Sequence, residues 1–298
     1  MTAGATAIEA LAERLAAGAE ATQDDARMML ETADLIAVGV VADDVRRRLH
    51  DNRVTFLRVF EVHVDRVPAA LPSRTAAGEI RIVGTAASVA AASAAVSAAR
   101  ALSATTILTG FSLADLASLT ECPLDEVCGR LKADGLDGVA DVPIDRLTDA
   151  AAAIAAARAA GLEVRRLTVD AITPASRIDV LCRARDLQAS LGGFEAFAPL
   201  PHEMSIATPT TGYDDVKLIA AARVLVAAVP SIQADWARYG PKLAQVTLTM
   251  GADDLDGVSA SDPNLLGTRR TPLEEIRGNI RAAGFEPVER DGRFAAIG

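Results

Sequence analysis

The sequence predicts an α/β protein built as a (β/α) TIM-type barrel, complete or partly open, with an N-terminal helical extension. Three observations lead to this fold class. The chain has 298 residues, a length that single α/β barrels commonly reach. From residue 54 onward, short β-branched segments alternate with helical segments, which implies parallel strands joined by crossover helices. Half of the residues are hydrophobic but only 3% are aromatic, which favours helices packed through small side chains.

The first 52 residues predict three helices and no strand. The predicted ranges are residues 6–17, 22–30 and 33–49. Thr22 is a typical N-cap, and Asp24 and Asp25 follow it in the first turn, where carboxylates stabilise a helix. The apolar positions of the third helix recur every three or four residues. We therefore expect residues 1–52 to pack as a helical extension on a barrel formed by residues 53–298.

The barrel segment predicts strands and helices in turn. Strands are predicted at residues 54–64, 79–84, 105–108, 136–139, 163–169, 194–198 and 232–236. Helices are predicted at residues 86–102, 112–119, 123–133, 144–160, 175–190, 214–229, 241–250 and 271–283. Residues 285–290 and 292–296 predict a terminal strand or hairpin. The acidic run Asp253, Asp254 and Asp256 is expected in a loop that follows a helix.

Charge and cysteine content restrict the partners that we expect. The chain carries 30 basic and 40 acidic residues, a net charge of −10, which argues against a nucleic-acid partner. No signal peptide and no apolar run long enough to span a bilayer is recognisable, so we expect a cytoplasmic protein without a membrane partner. Cys122, Cys128 and Cys182 have no metal-binding or redox spacing, and buried thiols are the simpler interpretation.

The catalytic candidates lie where barrel enzymes carry their chemistry, on loops after the carboxyl ends of strands. His202 and Glu203 follow a strand on a proline-rich loop. A histidine there can act as a general base or a ligand, although a loop-stabilising role is equally consistent. His63 ends the first strand, where it either faces the pocket or forms a hydrogen bond inside the barrel. No catalytic role is fixed by these positions alone.

Six further residues are candidates for lining the pocket: Gly84, Thr85, Trp236, Tyr239, Asp253 and Asp254. The strand-to-helix turn at residues 84–85 can hold an anionic group at a helix N-terminus. The two aromatic residues can stack on a ligand, or they can simply pack in the core. Asp254 and Asp256 are weak candidates for a divalent metal, because acidic residues after a glycine also cap turns. We therefore expect no metal.

Several motifs resemble one enzyme family. They are RVTFLRV, EIRIVG, GGFEAFAPLP, TGYDDVKLIAAAR, GPKLAQ, GADDLDG and AGFEPVERDG, preceded by MLETADLIAVGVVADDVRRRLHDNRVTF. In this order they resemble the aminofutalosine synthases and their relatives in the menaquinone and deazaflavin pathways, which are radical S-adenosylmethionine enzymes. The resemblance spans nearly the whole chain and is most specific in its C-terminal half.

The resemblance implies a CxxxCxxC loop after the first strand, whose thiolates hold a [4Fe-4S] cluster. Residues 53–121 contain no cysteine, and the loop at 64–77 carries Pro68, Pro72 and Thr75 instead. Cys122 and Cys128 stand on a predicted helix far from that loop. The segments DGVADVP and TVDAITP also depart from the family on the cofactor side. We therefore expect a pseudoenzyme of this family, with no [4Fe-4S] cluster and no other cofactor.

Three function classes remain open, and the sequence does not decide whether the protein is an enzyme. The first is a non-catalytic relative that binds a small metabolite or a partner protein, such as a paralogous synthase or a second copy. The second is an enzyme with replaced acid-base or metal-assisted chemistry that uses His202 or the acidic run. The third is a protein that binds haem or another prosthetic group, with His63 as the axial ligand.

Overall fold

A computed structural model describes residues 3–203, 210–261 and 271–297 of the chain. Three helices come first: α1 (Ala3–Ala16), α2 (Gln23–Glu31) and α3 (Leu35–His50). The strands are β1 (Arg53–His63), β2 (Glu79–Val83), β3 (Ile107–Ser112), β4 (Gly138–Asp141), β5 (Arg166–Leu167), β6 (Ala196–Phe197), β7 (Ser231–Asp235), β8 (Asp254–Ser259) and β9 (Glu286–Arg290). The other helices are α4 (Val89–Leu102), α5 (Leu113–Ser118), α6 (Leu124–Ala133), α7 (Ala150–Ala159), α8 (Arg177–Leu191), α9 (Gly212–Leu225), α10 (Trp236–Leu248) and α11 (Pro272–Ala282). A short 3-10 turn, Pro174–Ser176, precedes α8.

Eight parallel strands nearly close into a barrel, which confirms the predicted fold class. Their order is β4-β3-β2-β1-β8-β7-β6-β5. Between the two outer strands the closure consists of isolated contacts: the N–H of Val139 donates to the carbonyl of Glu163 at 3.1 Å, and the N–H of Thr168 donates to that of Val142 at 2.9 Å. Short parallel strands with a helix after most of them place every carboxyl end at one mouth.

The ninth strand lies at the opposite end of the barrel. β9 runs parallel to the first half of β1, with Arg53 opposite Glu286 and Leu57 opposite Arg290. The predicted terminal strand is therefore confirmed, but its main partner is β1 and only one antiparallel bridge, from Arg290 to Ala296, follows it. The segment after β9 covers the amino ends of the barrel strands.

Asp254 and Asp256 lie in a strand, which the sequence analysis does not predict. β8 contains Asp254 and Asp256, and it pairs with β1 on one side and β7 on the other. The motif was missed because its inward side chains are charged, whereas a buried strand is normally recognised by apolar residues. Other boundaries also differ. The strand expected at 105–108 is β3, which begins at Ile107 and ends at Ser112, and the helix expected from residue 144 starts at Ala150. The helix expected from residue 241 starts at Trp236, so Trp236 and Tyr239 belong to α10.

The inside of the barrel is polar. Asp254 accepts two hydrogen bonds from Arg290, both 2.6 Å long, and one from Gln233 at 2.6 Å. Asp256 pairs with Arg81 at 2.8 Å and also contacts Arg166. The remaining cavity among these side chains is about 30 Å³, which is room for only one or a few water molecules. Apolar packing is concentrated instead between the strands and the surrounding helices.

The N-terminal helices pack on the outside of the barrel. The imidazole Nε2 of His50, at the end of α3, lies 2.8 Å from the carbonyl oxygen of Pro230 and 3.2 Å from the Asp253 carboxylate. The fully buried Arg46 places its guanidinium 4.3 Å from the centre of the Phe285 ring, a cation–π contact. These contacts join α3 to the ends of α9, β7 and α11.

No helix in the described part of the chain has the length and apolar character needed to cross a membrane.

Candidate functional site

Polar side chains from successive strand ends meet at the mouth of the barrel. The Nδ1 atom of His202 lies 3.3 Å from Oδ1 of Asp170. Arg146 donates to the other oxygen of Asp170 at 2.8 Å and pairs with Asp115 at 2.9 Å. The hydroxyl of Thr85 donates to Asp115 at 2.9 Å. We call these five residues the mouth arc, since they run from the end of β2 to the loop after β6.

Backbone contacts set the position of His202. The N–H of His202 donates to the carbonyl of Val169 at 2.9 Å, and the N–H of Glu203 donates to that of Asp170 at 2.7 Å. The loop after β6 therefore continues alongside the end of β5, although neither segment is part of a regular strand here. This pairing puts the imidazole beside the Asp170 carboxylate. The Glu203 backbone takes part in this pairing, and its side chain forms no hydrogen bond with another residue of the described ranges.

Asp170 is held as a carboxylate. Burial by itself would raise its pKa, but the contacts with His202 and Arg146 outweigh burial and leave the pKa below the ordinary aspartate value. Its main-chain N–H donates to Asp145 at 2.9 Å, which fixes the turn that carries it. A charged carboxylate on Nδ1 orients an imidazole and leaves Nε2 as the nitrogen directed away from the pair.

The start of α10 holds the loop that carries His202. Arg238 donates to the carbonyl of His202 at 2.9 Å, and the Tyr239 hydroxyl donates to the carbonyl of Pro201. Burial raises the pKa of Tyr239, so its hydroxyl stays protonated and remains a donor. Trp236 is half-buried and packs against the core. Tyr239 therefore holds the loop that carries His202. Trp236 lies about one helical turn before Tyr239 on α10.

His63 and Gly84 lie together on another side of the mouth. His63 is exposed, and its Nδ1 accepts the N–H of Asp65 at 3.3 Å. Gly84 has a φ of 92°, and a Cβ there would stand 2.8 Å from the His63 Nε2 atom. Both features require glycine at this position. In the strand order, β8 and β7 separate His63 on β1 from the β6 loop with His202.

The three predicted aspartates do not share one site. Asp254 and Asp256 point into the barrel and bind arginines, as described above. Asp253 points outward, where Arg223 donates to its carboxylate and the N–H of Ile232 donates at 2.8 Å. All three are buried. Guanidinium groups thus occupy the oxygens that the sequence-based metal hypothesis required.

Sequence analysis missed Asp170, Arg146 and Asp115, because each stands in an unremarkable loop or helix start. It also missed Glu61, which is exposed near the carboxyl end of β1. Partial burial of its carboxyl raises the pKa of Glu61, the charge of Arg81 opposes that rise, and the charges of Asp235 and Asp256 add to it. The alternation of β1 was the available signal, since Glu61 falls in phase with the inward residue Leu57.

Two buried hydroxyls near the mouth lack a partner among the described residues. They are the Oγ of Ser112 and the Oγ1 of Thr168. Ser112 stands opposite Asp141 across β3 and β4, and Thr168 bridges to Pro143 on the next strand. Buried polar groups normally have a protein or water partner.

The described residues offer no metal centre. No group of three histidine, cysteine, aspartate or glutamate side chains in the described ranges is arranged to hold an ion. Cys128 is buried in α6, and burial raises the pKa of its thiol to about 11. Cys122 precedes that helix and Cys182 lies on α8. Each thiol is free, and they stand on separate elements outside the barrel mouth.

Comparison with known proteins confirms the family resemblance. Residues 195–297 match the family described as the CofH/MqnC C-terminal region. Aminodeoxyfutalosine synthase of Streptomyces coelicolor is 32% identical over 145 residues, which cover 42% of this chain and 38% of that protein. Aminodeoxyfutalosine synthase of Thermus thermophilus is 29% identical over 223 residues, covering 63% of this chain and 59% of that protein.

A third relative has a different named reaction. The 5-amino-6-(D-ribitylamino)uracil--L-tyrosine 4-hydroxyphenyl transferase 2 of Methanosarcina barkeri is 31% identical over 216 residues, covering 61% of this chain and 56% of that protein. The chain thus spans between 38% and 59% of the length of these three relatives.

Solved structures share the fold at low sequence identity. HydG, a maturase of the [FeFe]-hydrogenase, aligns with a TM-score of 0.63 at 13% identity, over 95% of this chain and 76% of HydG. Methylornithine synthase (PylB) aligns with a TM-score of 0.62 at 13% identity, over 93% of this chain and 97% of PylB. Both likenesses support the barrel fold alone.

The comparisons contradict the prediction that this chain has no cofactor and no [4Fe-4S] cluster. The relatives are radical S-adenosylmethionine enzymes, a class that uses such a cluster, so that prediction was wrong as made. The described residues nevertheless do not fit the group, because a cluster needs several thiolates within reach of one another and the three thiols lie on or beside two different helices. The chemistry below is derived from the other side chains of this chain.

Proposed function

We propose that this relative of aminodeoxyfutalosine synthase binds a small, hydroxyl-rich metabolite at the mouth of its barrel, where His202 exchanges a proton with the bound molecule. The observation that carries the proposal is the pairing of the His202 Nδ1 atom with the buried Asp170 carboxylate, 3.3 Å away. It lies at the carboxyl ends of the strands, where barrel proteins bind their ligands.

The Asp170–His202 pair supports proton exchange. A carboxylate on Nδ1 fixes the orientation of the ring and leaves Nε2 as the nitrogen that can exchange a proton with a bound molecule. The His202 side chain is only 17% exposed, which limits competition from bulk water. Within the described ranges, no residue forms a hydrogen bond with the Nε2 atom.

The surroundings of His202 support a preformed site. Arg146 contacts both Asp170 and Asp115, and Arg238 and Tyr239 hold the carbonyls of the loop that carries the imidazole. Groups held from both sides need little rearrangement when a ligand arrives, and this lowers the entropic cost of binding. The mouth arc is therefore expected to keep its geometry with and without ligand.

The ligand class follows from the names of the relatives and from the chemistry of the mouth. One relative acts on 5-amino-6-(D-ribitylamino)uracil, which carries several hydroxyl groups, and another is named for aminodeoxyfutalosine. Carboxylates accept hydrogen bonds and cannot donate them when ionised, so Asp115 and Asp170 suit hydroxyl donors.

Isothermal titration tests the proposal with 5-amino-6-(D-ribitylamino)uracil and with aminodeoxyfutalosine. We expect saturable binding of at least one of them, and the variant His202→Gln should weaken it about tenfold or more, because a hydrogen bond to an ionisable group is lost. His50→Gln makes the same replacement at the far end of the barrel and should leave the affinity unchanged. The absence of binding up to about 1 mM, or equal affinities for the two variants, would refute the proposal.

A further inference from the structure

We infer that the protein binds an aliphatic carboxylate, the anion of a medium-chain fatty acid, in a second cavity outside the barrel. The cavity lies between the N-terminal helices and the carboxyl ends of α8 and α9, and its volume is about 430 Å³. These two helices lead into the amino ends of β6 and β7, so the cavity is at the end of the barrel opposite the mouth. It shares no residue with the mouth arc and goes beyond the proposed metabolite site.

Large apolar side chains form the floor of the cavity. Leu15 on α1, Val45 on α3, and Val224 and Leu225 on α9 line it, and each of them belongs to the buried hydrophobic core. Pockets that bind small organic molecules are mostly apolar and have volumes of about 300–1,000 Å³. The floor is therefore suited to an alkyl chain, which gains free energy when its methylene groups leave water.

Small side chains keep the cavity open. Most of the remaining lining residues carry only a methyl group or a hydrogen atom as side chain: Gly18, Ala19, Ala21, Ala189, Ala227 and Ala228. A Cβ on Gly18 would meet no atom within 4 Å. The N-terminal helices and the barrel helices thus approach each other here without filling the space between them.

Two hydrogen bonds hold the walls of the cavity in place. Nη1 of Arg48 donates to the carbonyl of Leu15 at 2.8 Å, which joins α3 to the end of α1. Nε2 of Gln188 on α8 donates to the carbonyl of Ala228 at 3.0 Å, which joins α8 to the segment after α9. Because the walls are fixed before a ligand arrives, binding requires little ordering of the protein.

Arg48 supplies the positive charge that a carboxylate requires. Its guanidinium has five N–H donors, and no carboxylate of the described residues lies within 4 Å of it. Arg185 also lines the cavity, but it pairs with Asp186 at 2.9 Å. Among the described lining residues, Glu20 is the one carboxylate, and it is exposed to water on the loop after α1. An apolar floor beside this arginine complements a molecule that has an alkyl chain and a carboxylate.

Isothermal titration with octanoate, octanol and octylamine, which share one alkyl chain, tests the inference. We expect the wild-type protein to bind octanoate with a dissociation constant below about 1 mM. It should bind octanoate about tenfold or more tightly than octanol, because charge-assisted hydrogen bonds are added, and more tightly than octylamine. Hexanoate should bind about tenfold more weakly than octanoate, since fewer methylene groups are buried.

Two variants separate the charge from the cavity. Arg48→Gln should remove the preference for octanoate over octanol, and Arg48→Lys should keep it. Ala189→Leu, at an exposed position of α8, places a larger side chain in the cavity and should weaken octanoate and octanol alike by about tenfold or more, since the space is filled. Arg47→Gln is the matched control and should change neither affinity, because Arg47 pairs with Asp43 and does not line the cavity.

Four outcomes would overturn the inference. They are no saturable binding of octanoate up to about 10 mM, an octanoate affinity no higher than that of octanol or octylamine, an octanoate preference that survives in Arg48→Gln, and an octanoate affinity that Ala189→Leu leaves unchanged. These outcomes are separate from those of the proposed function, because His202→Gln should bind octanoate as the wild-type protein does.

Discussion

At the scale of single residues, the mouth of the barrel depends on pairs that stand far apart in sequence. His202 and Asp170 come from loops after different strands and meet because their backbones hydrogen-bond. Sequence analysis selected His202 from its position after a strand. Asp170 could not be found in the same way, because no fixed number of residues separates the two loops in sequence. The carboxylate gives the histidine an orientation that position alone does not provide.

Asp170 should make stability depend on pH in a defined direction. Its pKa is lowered in the folded protein, so its contribution is present above the unfolded value of about 3.9 and is lost as the pH falls through the folded value. Asp170→Asn should therefore lower the free energy of unfolding by about 1–3 kcal/mol at pH 6. Urea denaturation between pH 6 and pH 3 should show this difference shrinking below about pH 4.

A matched replacement separates this effect from general acid sensitivity. Asp51 is exposed at the end of α3, and Asp51→Asn should retain the wild-type dependence of stability on pH. An Asp170→Asn difference of constant size across the whole range would contradict the assignment of an ionised, paired carboxylate.

At the scale of elements, β8 shows where sequence patterns stop being informative. Most strands were recognised because their outward residues are apolar and pack on helices. β8 was not, because Asp254 and Asp256 alternate with its apolar residues and their arginine partners are on β2, β5 and β9. Pattern rules assume that a buried face is apolar. Inside this barrel, buried charges are stabilised by partners of opposite charge on other strands. The sequence of one strand alone does not show those partners.

Gly257 on β8 should be more sensitive to substitution than a glycine with a similar φ elsewhere. Its φ is 72°, close to the 73° of Gly240. A Cβ at Gly240 would meet no atom within 4 Å, whereas one at Gly257 would meet Oδ1 of Asp235 at 2.9 Å, the atom that accepts the Arg238 N–H at the start of α10. Gly240→Ala should cost about 1–3 kcal/mol from backbone strain, and Gly257→Ala should cost about 1 kcal/mol more because it displaces this helix cap.

Chemical denaturation of both variants measures these costs. Equal losses of stability in the two variants would contradict the close approach of the Asp235 carboxylate to Gly257.

At the scale of the whole molecule, the N-terminal helices and the barrel share buried contacts. Sequence analysis predicted the division at residue 53 from a change of pattern, and that division stays a prediction. It could not predict how closely the two parts are joined, because Arg46, Phe285 and Asp253 are distant in sequence. A Cβ on Gly39 of α3 would stand 2.7 Å from the sulfur of Met250, which shows how closely the parts approach.

We therefore expect residues 1–52 and the barrel to unfold together. Trp236 is the only tryptophan and reports on the mouth by fluorescence, while far-ultraviolet circular dichroism reports on all helices, including α1–α3. The two signals should give coincident transitions in urea, as for a single cooperative unit. An earlier loss of helical signal, before the fluorescence changes, would show that the extension unfolds by itself.

The charged filling of the barrel also constrains how this protein can change over time. Arg81 and Arg166 both bind Asp256 in the interior, and they also pair with Glu79 and Asp141. Replacing one member of this network leaves an uncompensated ion in a medium that solvates it poorly. Single substitutions of these charged residues are consequently destabilising, and a change inside the barrel requires substitutions at several paired positions together.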